Sequence, residues 1–423
     1  MMIEIEKEQS RLPLVLLVGK NENKASADEQ VISELGNLAE TAGLQVAGYI
    51  VLHRVEPAPK FGMGSGKAKE IATCADELDA EQIVFDFEIT PTQQRNWEKL
   101  TKLDCIDRQE LIIRIFASRA MTREAVLQVE LARLEYVLPR LVHANEYLSR
   151  QRGGRYGTKG AGETKLELDR RSVLNRISVL KKELTHVRGD RAIRRKRRER
   201  IPVPSCAIVG YTNAGKSTLL NALTSARVLS EDKLFATLDP TTRRFTLPSG
   251  RTVLLTDTVG FIRNLPHSLV DAFHATLEEA VFADVLLLIA DASDPEVESQ
   301  LATTHDVLAD IGAEDQTTLL VFNKIDRIDE FTRRRLFLSH PSDIYISAHT
   351  GEGISVLAEQ LEALLSGTER VYHLPQDRQD LVAFAHREGS VINIEYTDTK
   401  IVLRARTSGR LASALQEFSS NEI

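Results

Sequence analysis

Apolar and polar positions divide the first part of the chain into alternating strands and helices. Short apolar runs at 14–18, 44–53 and 82–87 predict strands, because runs of this length are typical of strands that are buried in a sheet. Helical spacing between and after these runs predicts helices over 27–42, 67–77 and 91–102. This alternation predicts an N-terminal α/β domain with a parallel sheet over residues 1–120.

Two long helical patterns follow this domain, at about 122–150 and 165–187. Each carries one apolar stripe at helical spacing. Two such stripes with a short linker between them predict an antiparallel helical hairpin over 121–200, with a simple helical spacer between domains as the alternative. Pro139 lies inside the first pattern and is expected to kink or divide that helix, because proline has no N–H to donate.

Alternation of strands and helices resumes after the hairpin and predicts a second α/β domain over 201–367, with a mostly parallel sheet. Residues 368–423 have the pattern of a small α+β unit. Apolar runs at 391–396 and 400–404 predict a strand hairpin there, and 411–418 has helical spacing. The fold class is therefore a multidomain α/β protein.

Composition limits the class of protein further. The chain has 423 residues, of which 42% are hydrophobic, and no run of 18 apolar residues, so no membrane span is expected. The first residues are acidic and polar, unlike a secretion signal. Three widely separated cysteines are typical of reduced thiols in a cytoplasmic protein. The ten histidines show no paired metal-ligand spacing.

Charge is distributed unevenly along the chain. The formal net charge is −7, yet residues 150–200 hold 18 Lys and Arg against 6 Asp and Glu. The remaining residues must therefore be strongly acidic in sum. An acidic protein with one concentrated basic segment is expected to contact a polyanionic partner at one place.

The tip of the predicted hairpin, residues 149–163, is rich in glycine and cations. Glycine lets the backbone approach a surface closely, and Arg152, Arg155 and Lys159 have the charge to neutralise RNA phosphates. Tyr156 can stack on an exposed base, a contact worth about 1–3 kcal/mol in single-stranded sites. These residues predict RNA contact, and a solvated loop is the alternative.

A phosphate-binding motif, GYTNAGKS, occupies residues 210–217 between a predicted strand and a predicted helix. Glycines in such a loop let successive N–H groups point at phosphates, and the helix N-terminus adds the positive end of its dipole. Lys216 is expected to reach the β- and γ-phosphates as a catalytic residue. Ser217 is expected to ligate Mg²⁺.

Three further strings come after predicted strands in a fixed order: DTVG at 257–260, NKID at 323–326 and SAH at 347–349. Asp257 can hold Mg²⁺, directly or through water, and the N–H of Gly260 can bond the γ-phosphate. A carboxylate at Asp326 accepts from the two N–H groups on the guanine edge. Adenine lacks that pair, so discrimination by factors on the order of 10⁴ is expected.

In this order the strings resemble those of HflX-type GTPases, a ribosome-associated branch of the translation-factor-related P-loop GTPases. The resemblance covers nearly the whole chain. It is carried by GGRYGTKGAGETKLELDRR at 153–171, GYTNAGKST at 210–218, FATLDPTTRR at 235–244 and DTVGFIRNLPH at 257–267.

The resemblance implies a role and a set of contacts. It implies binding of GTP and GDP, docking on the 50S ribosomal subunit and its rRNA, and the splitting or rescue of stalled ribosomes under stress. It implies that Thr237 reaches Mg²⁺ in the GTP state. With the motifs above, it assigns nucleotide contacts to Gly210, Tyr211, Thr212, Asn213, Ala214, Gly215, Lys216, Ser217, Thr218, Phe235, Ala236, Thr237, Leu238, Asp239, Asp257, Thr258, Val259, Gly260, Asn323, Lys324, Ile325, Asp326, Ser347, Ala348 and His349.

Three details qualify this expectation. Phe261 comes after DTVG where related GTPases often carry a polar residue that orients water, so slow intrinsic hydrolysis and stimulation by a partner are predicted. Asn213 matches a position that binds K⁺ in some related GTPases, which makes K⁺ a candidate cofactor beside Mg²⁺. The family is also reported to bind ATP in its N-terminal domain, where FGMGSGK at 61–67 is the candidate site and a plain glycine-rich turn is the alternative.

Other functions stay open at this point. A ribosome-assembly or tRNA-modification GTPase would carry the same nucleotide motifs. A GTP-gated regulator of a protein partner would carry them with the basic tip as a solvated linker. The expected state is a monomer in the cytoplasm, with part of the protein associated with membranes.

Overall fold

The computed structural model describes eleven stretches of the chain, namely residues 11–21, 28–53, 56–143, 161–198, 203–224, 234–263, 277–366, 368–388, 390–397, 399–407 and 414–419. Contacts among them define two compact units. The first unit holds the described residues up to Val187 together with 234–238. The second holds the other described residues, from Arg188 onward.

Four parallel strands form the N-terminal sheet, in the order β2-β1-β3-β4. A strand–helix alternation builds it. The strands are β1 (Leu14–Lys20), β2 (Gln45–Leu52), β3 (Gln82–Phe85) and β4 (Asp104–Asp107), and the helices are α1 (Asp28–Thr41), α2 (Ser65–Glu77), α3 (Pro91–Thr101) and α4 (Arg108–Arg119). The apolar interior of β1 is buried, as in parallel strands covered on both faces. The predicted α/β class is confirmed.

The glycine-rich stretch between β2 and α2 is held to the core by its apolar side chains. Phe61 and Met63 are buried, and the Phe61 ring meets the Trp97 ring edge-on with centroids 5.2 Å apart. The indole N–H of Trp97 donates to the carbonyl oxygen of Phe61 over 3.1 Å. Lys67 is paired with Glu70 at 2.8 Å. These contacts give the stretch a structural role, which was one of the two alternatives for it.

A buried carboxylate anchors helix α5 (Arg123–His143) to the sheet. Asp107, at the end of β4, is fully buried, and burial raises the pKa of its carboxyl group. It accepts hydrogen bonds from the Tyr136 hydroxyl and from Nη2 of Arg140, each 3.0 Å long. Nη2 of Arg140 also donates to the carbonyl oxygen of Ile89. The first helix of the predicted hairpin is thereby fixed to the strand ends.

Helix α5 runs through Pro139 without interruption, so the proline does not divide the helix, and the alternative of a kink stays a prediction. The anchoring residues Tyr136 and Arg140 lie on either side of the proline. Both donate to Asp107, so the helix is tied to the sheet on either side of the residue that has no N–H to donate.

Helix α6 (Ala161–Arg198) contacts α5 through the predicted apolar stripes. Leu127, Leu180 and Leu184 form one buried cluster, and Arg176 joins Glu130 through two hydrogen bonds of 2.8 Å. The contact between the two stripes is therefore confirmed. The predicted RNA-contacting residues at the tip, Arg152, Arg155, Tyr156 and Lys159, lie outside the described residues.

A six-stranded sheet forms the centre of the second unit, in the order β10-β9-β8-β5-β7-β6. Its strands are β5 (Ser205–Gly210), β6 (Thr241–Thr246), β7 (Thr252–Asp257), β8 (Val285–Asp291), β9 (Thr318–Asn323) and β10 (Ile344–Tyr345). Only β6 among these strands is antiparallel to its neighbour. The helices are α7 (Lys216–Thr224), α8 (Val297–Asp310), α9 (Glu330–Ser339) and α10 (Ile354–Ser366). The mostly parallel sheet agrees with the prediction.

The C-terminal region forms a small α+β unit with its own core. Its antiparallel sheet has the order β11-β13-β12, from β11 (Thr368–Pro375), β12 (Ser390–Tyr396) and β13 (Lys400–Thr407), with helix α11 (Gln379–Glu388) between β11 and β12. The predicted strand hairpin is confirmed. Of the predicted helix at 411–418, the structure describes 414–418, which end in a 3₁₀ turn (Gln416–Phe418), and Leu415 is buried in the core of this unit.

Candidate functional site

The phosphate loop connects the end of β5 to the start of α7. This is the strand–loop–helix context that the motif requires. Gly215 has a φ of +94°, and a Cβ atom there would collide with the side-chain amide of Asn323. Only glycine fits this position. Asn213 also has a positive φ, +60°, which asparagine tolerates better than most residues. The backbone therefore curls as phosphate binding demands.

The ammonium group of Lys216 is buried inside this curl. Its Nζ donates to the carbonyl oxygens of Tyr211 at 2.7 Å and Gly210 at 3.2 Å. Burial lowers the pKa of Lys216 to about 8, while the charge of Asp257 raises it. A desolvated ammonium held in place by carbonyl groups is suited to meet a phosphate with little reorganisation.

Ser217 and Asp257 form the oxygen pair predicted to hold the metal. The Ser217 hydroxyl donates to Oδ2 of Asp257 at 2.6 Å, and the carboxylate is fully buried at the end of β7. Hydroxyl and carboxylate oxygens are the ligands that Mg²⁺ prefers beside phosphates. The donor set therefore fits this ion.

The DTVG string lies directly against the phosphate loop. A Cβ atom at Gly260 would stand 2.7 Å from Cα of Thr212 and 2.8 Å from Nζ of Lys216, so only glycine can occupy the position. Thr258 is held to strand β5, because its hydroxyl donates to the carbonyl oxygen of Ile208 at 2.8 Å. The backbone of Gly260 is thereby placed beside the lysine that would hold the γ-phosphate.

Phe261 has no polar group to offer and its side chain is buried. Its backbone bonds to the phosphate loop instead. The N–H of Phe261 donates to Gly210 at 3.0 Å, and its carbonyl oxygen accepts from the N–H of Thr212 at 2.8 Å. This residue therefore cannot orient a water molecule as a glutamine would.

Asn323 connects the predicted base reader to the rest of the site. Its Nδ2 donates to the carbonyl oxygen of Ala214, and its Oδ1 accepts from the N–H of Ala348, both at 2.9 Å. Lys324 has a φ of +64° and its ammonium group pairs with Asp291 at 2.7 Å. The NKID and SAH strings are thus brought together, as their order in the sequence predicted.

Asp326 has the charge that guanine recognition requires. A hydrogen bond from the Ser347 side chain holds the pKa of the Asp326 carboxyl below its usual value. The group is therefore ionised at neutral pH and can accept from two N–H groups. Ser347 itself is fully buried, and its hydroxyl accepts from the N–H of Thr350 at 3.1 Å. The SAH string thus has a definite structural role.

The FATLD segment is placed by a different set of contacts. Residues 234–238 group with the first unit. Phe235 is buried with a φ of +54°, and its ring meets that of Phe116 edge-on at a centroid distance of 4.5 Å. Leu238 is buried as well. The role of Thr237 as a metal ligand stays a prediction.

Sequence reasoning missed two contacts at the site. Asp291 is the last residue of β8 and pairs with Lys324, a contact that no sequence motif predicts. The hydroxyl of Tyr211 accepts from the backbone N–H of Arg263 at 2.9 Å, which joins the loop to the residues after DTVG. A polar residue at a strand end is a usable signal for the first contact. Nothing in the sequence indicates the second.

P-loop GTPases combine a phosphate-binding loop with neighbouring side chains that suit guanine, and this site has that arrangement. Comparison with known families agrees. Residues 205–324 match the family described as 50S ribosome-binding GTPase. Residues 29–117 and 119–198 match the families described as GTP-binding GTPase N-terminal and GTP-binding GTPase Middle Region.

The chain belongs to the GTPase HflX family. It is 42% identical to GTPase HflX of Lacrimispora saccharolytica over 420 residues, which cover 98% of each chain. It is 45% identical to GTPase HflX of Escherichia coli over 342 residues, 80% of each. Its activity is that of a GTPase, which converts GTP and water to GDP and phosphate.

A solved structure is also similar. A GTP-binding protein from the archaeon Sulfolobus solfataricus, in complex with GDP, has 26% identity to the chain with a TM-score of 0.44. The similarity covers 84% of this chain and 98% of that one. The family assignment does not depend on it, since the curated relatives establish it.

Proposed function

We propose that this GTPase docks on the 50S ribosomal subunit while it holds GTP, and that docking splits or rescues stalled ribosomes. The observation that supports this most is the match of the residues forming the nucleotide site, 205–324, with a family described as 50S ribosome-binding. The cationic excess of residues 150–200 supports a polyanionic partner as well.

In the proposed reaction, water attacks the γ-phosphate and GDP leaves. Lys216 contacts the β- and γ-phosphates, where its buried charge stabilises the negative charge that develops. Ser217 and Asp257 would hold Mg²⁺, Asp257 directly or through water, with Thr237 as a further ligand in the GTP state. When bound, this ion neutralises phosphate charge and orients the oxygens. Asn213 is proposed to bind K⁺, and equal hydrolysis rates in Na⁺ and K⁺ buffers would contradict that.

The water-orienting group is proposed to come from the ribosome. Phe261 is buried and bonded to the phosphate loop through its backbone, so its side chain has no means of orienting water. Slow intrinsic hydrolysis that 50S particles accelerate is the expected behaviour. An intrinsic rate that 50S particles leave unchanged would contradict this part of the proposal.

RNA contact is assigned to the glycine-rich tip. Arg152, Arg155 and Lys159 are proposed to neutralise rRNA phosphates, with Tyr156 stacked on a base. Each neutralised phosphate adds about 0.7–0.9 to the dependence of log affinity on log salt concentration. Replacing the three cations by glutamine should therefore lower that slope by about 2–3. An unchanged slope would favour a GTP-gated regulator whose partner is a protein.

Co-sedimentation tests the proposal as a whole. The full chain would be centrifuged with purified 30S, 50S and 70S particles, in GDP or in a non-hydrolysable GTP analogue. Selective pelleting with mature 50S particles in the GTP analogue is expected. Pelleting only with 50S precursors would favour a ribosome-assembly GTPase, and absence from every ribosomal pellet would overturn the proposal.

Three further expectations are also proposals. The protein is a monomer, it is located in the cytoplasm with a fraction of the molecules associated with membranes, and residues 1–120 hold an ATP site. Among the helices that the structure describes, none has the length and apolarity needed to cross a bilayer. Calorimetry tests the ATP site. The full chain is first saturated with GTP, so that only the second site is free, and is then titrated with ATP.

A further inference from the structure

The hydroxyl of Tyr211 links the phosphate loop to the residues after DTVG. It accepts a hydrogen bond of 2.9 Å from the backbone N–H of Arg263. Tyr211 is 5% exposed, so water competes little for this bond. The guanidinium group of Arg263 is engaged elsewhere, because Nη1 lies 3.4 Å from Oε2 of Glu296. The link between loop and segment is therefore made through the Arg263 backbone.

Two backbone hydrogen bonds flank this link. Tyr211 and Phe261 form a parallel bridge in which Phe261 donates to Gly210 and accepts from Thr212. With the hydroxyl bond, three hydrogen bonds fix 261–263 to the phosphate loop. Gly260 stands immediately before the bridge, within contact distance of the loop. The N–H of Gly260 is therefore held in one place by the three hydrogen bonds of residues 261–263.

The same tyrosine also contacts the catalytic lysine. The carbonyl oxygen of Tyr211 accepts from Nζ of Lys216 at 2.7 Å, and the carbonyl oxygen of Gly210 accepts from both Lys216 and Phe261. One short piece of backbone thus sets the position of the phosphate-binding ammonium and of the residue after Gly260. A change at Tyr211 is transmitted to both.

We propose that Tyr211 is a positioning residue for GTP hydrolysis. Through its hydroxyl bond to the Arg263 N–H, it holds the Gly260–Arg263 stretch so that the Gly260 N–H meets the γ-phosphate and not merely the β-phosphate. GDP lacks the group that Gly260 would contact, so the hydroxyl matters for GTP and for its hydrolysis. It has little effect on GDP.

Tyr211→Phe tests this, because it removes one oxygen atom and keeps the ring. Single-turnover hydrolysis of bound GTP should slow by about threefold to tenfold, the loss expected for one hydrogen bond of ordinary strength. The dissociation constant for GDP should stay within about twofold of the wild-type value, as expected if that bond serves the γ-phosphate alone. A merely structural role would move both quantities together.

Tyr345→Phe is the matched control. The Tyr345 hydroxyl is also half-buried and bonded, since it lies 2.9 Å from the carbonyl oxygens of both Leu336 and His340 and can donate its one proton to either. It lies away from the phosphate loop, so the same deletion should lower the stability of the second unit without changing the hydrolysis rate of bound GTP. The comparison separates positioning from general loosening.

Three outcomes would overturn the proposal. One is a Tyr211→Phe variant that hydrolyses bound GTP at the wild-type rate. Another is an equal loss of GDP and GTP affinity with an unchanged rate. The third concerns which part of Arg263 transmits the effect of Tyr211. If Arg263→Ala slows hydrolysis as much as Tyr211→Phe does, with the double variant no slower than either, the Arg263 side chain carries the effect and its backbone N–H does not.

Discussion

The side chain of Asn323 donates a hydrogen bond of 2.9 Å to the carbonyl oxygen of Ala214, which joins the base-reading strand end to the phosphate loop. Asn323 is 2% exposed, and its other amide atom accepts from Ala348 at the same distance. One side chain thus sets the spacing between the groups for the phosphates and those for the base. The nucleotide should be recognised as a whole, because Asn323 bonds to both halves of the site.

Asn323→Ala should weaken binding of GTP and GDP alike. Two buried partners lose their hydrogen bond, and leaving such groups unsatisfied costs about 1–3 kcal/mol, or roughly fivefold to 150-fold in affinity. Titration with a fluorescent GDP analogue measures the loss. Asn393→Ala is the control, because that amide bonds Glu395 on an exposed strand and should leave affinity unchanged. A loss confined to GTP would contradict this account of Asn323.

Asp326→Asn should change the base that is preferred. The carboxylate accepts from two N–H groups of guanine, whereas an amide offers one N–H that suits the extra carbonyl group of xanthine. Affinity for GTP should fall by about 10²-fold or more, and affinity for XTP should rise, since an unmatched polar group in such a site is rejected strongly. Competition between the two nucleotides for the variant gives the ratio. An unchanged preference for GTP would remove Asp326 from base recognition.

Nucleotide binding should take up a proton near pH 8. Burial lowers the pKa of Lys216 to about 8 in the free protein. Phosphate contact favours the charged form and raises that pKa, so the bound lysine stays protonated at pH values where the free one begins to lose its proton. Affinity should therefore be level below about pH 7 and should fall as the pH rises through 8.

Calorimetry in buffers of different ionisation enthalpy measures this proton directly. Uptake should approach one proton per nucleotide above about pH 9 and vanish near about pH 6.5. Lys216→Arg is the control, since a guanidinium remains charged over this range. Uptake that persists in the arginine variant would assign the proton to another group.

Asp107→Asn should destabilise the first unit. The carboxylate is fully buried and pairs with Arg140 at 3.0 Å, so removing its charge leaves a guanidinium without compensation. Breaking a buried pair in this way costs about 3–5 kcal/mol. Urea unfolding of the full chain measures the change. Asp380→Asn, at an exposed pair with Arg378, should change stability far less, because solvent screens an exposed ion pair. Equal effects of the two changes would contradict the anchoring role of Asp107.

The parts of the fold that sequence reasoning predicted have local causes. The N-terminal strands, the phosphate loop and the strand before Asn323 follow from apolar runs and motif spacing, which act within a few residues. The assignment of Asp326 as the base reader comes from the chemistry of guanine and stays a prediction. The fit of Ser217 and Asp257 to a metal follows from the same motifs.

The parts that escaped prediction depend on residues that are distant in sequence. The bond from the Arg263 N–H to the Tyr211 hydroxyl and the contact of Phe235 with Phe116 join segments that no periodicity relates. Helix α5 continues through Pro139, where local propensity favours a break, and Asp107, far earlier in the chain, bonds Tyr136 and Arg140 on either side of the proline.

The most direct test couples the base reader to docking. Asp326→Asn and wild-type protein would each be sedimented with 50S particles in non-hydrolysable analogues of GTP and XTP. A switch in which guanine recognition controls docking predicts wild-type pelleting only in the GTP analogue and variant pelleting only in the XTP analogue. Pelleting of both proteins with either nucleotide, or without any, would show that the ribosome is bound independently of the base.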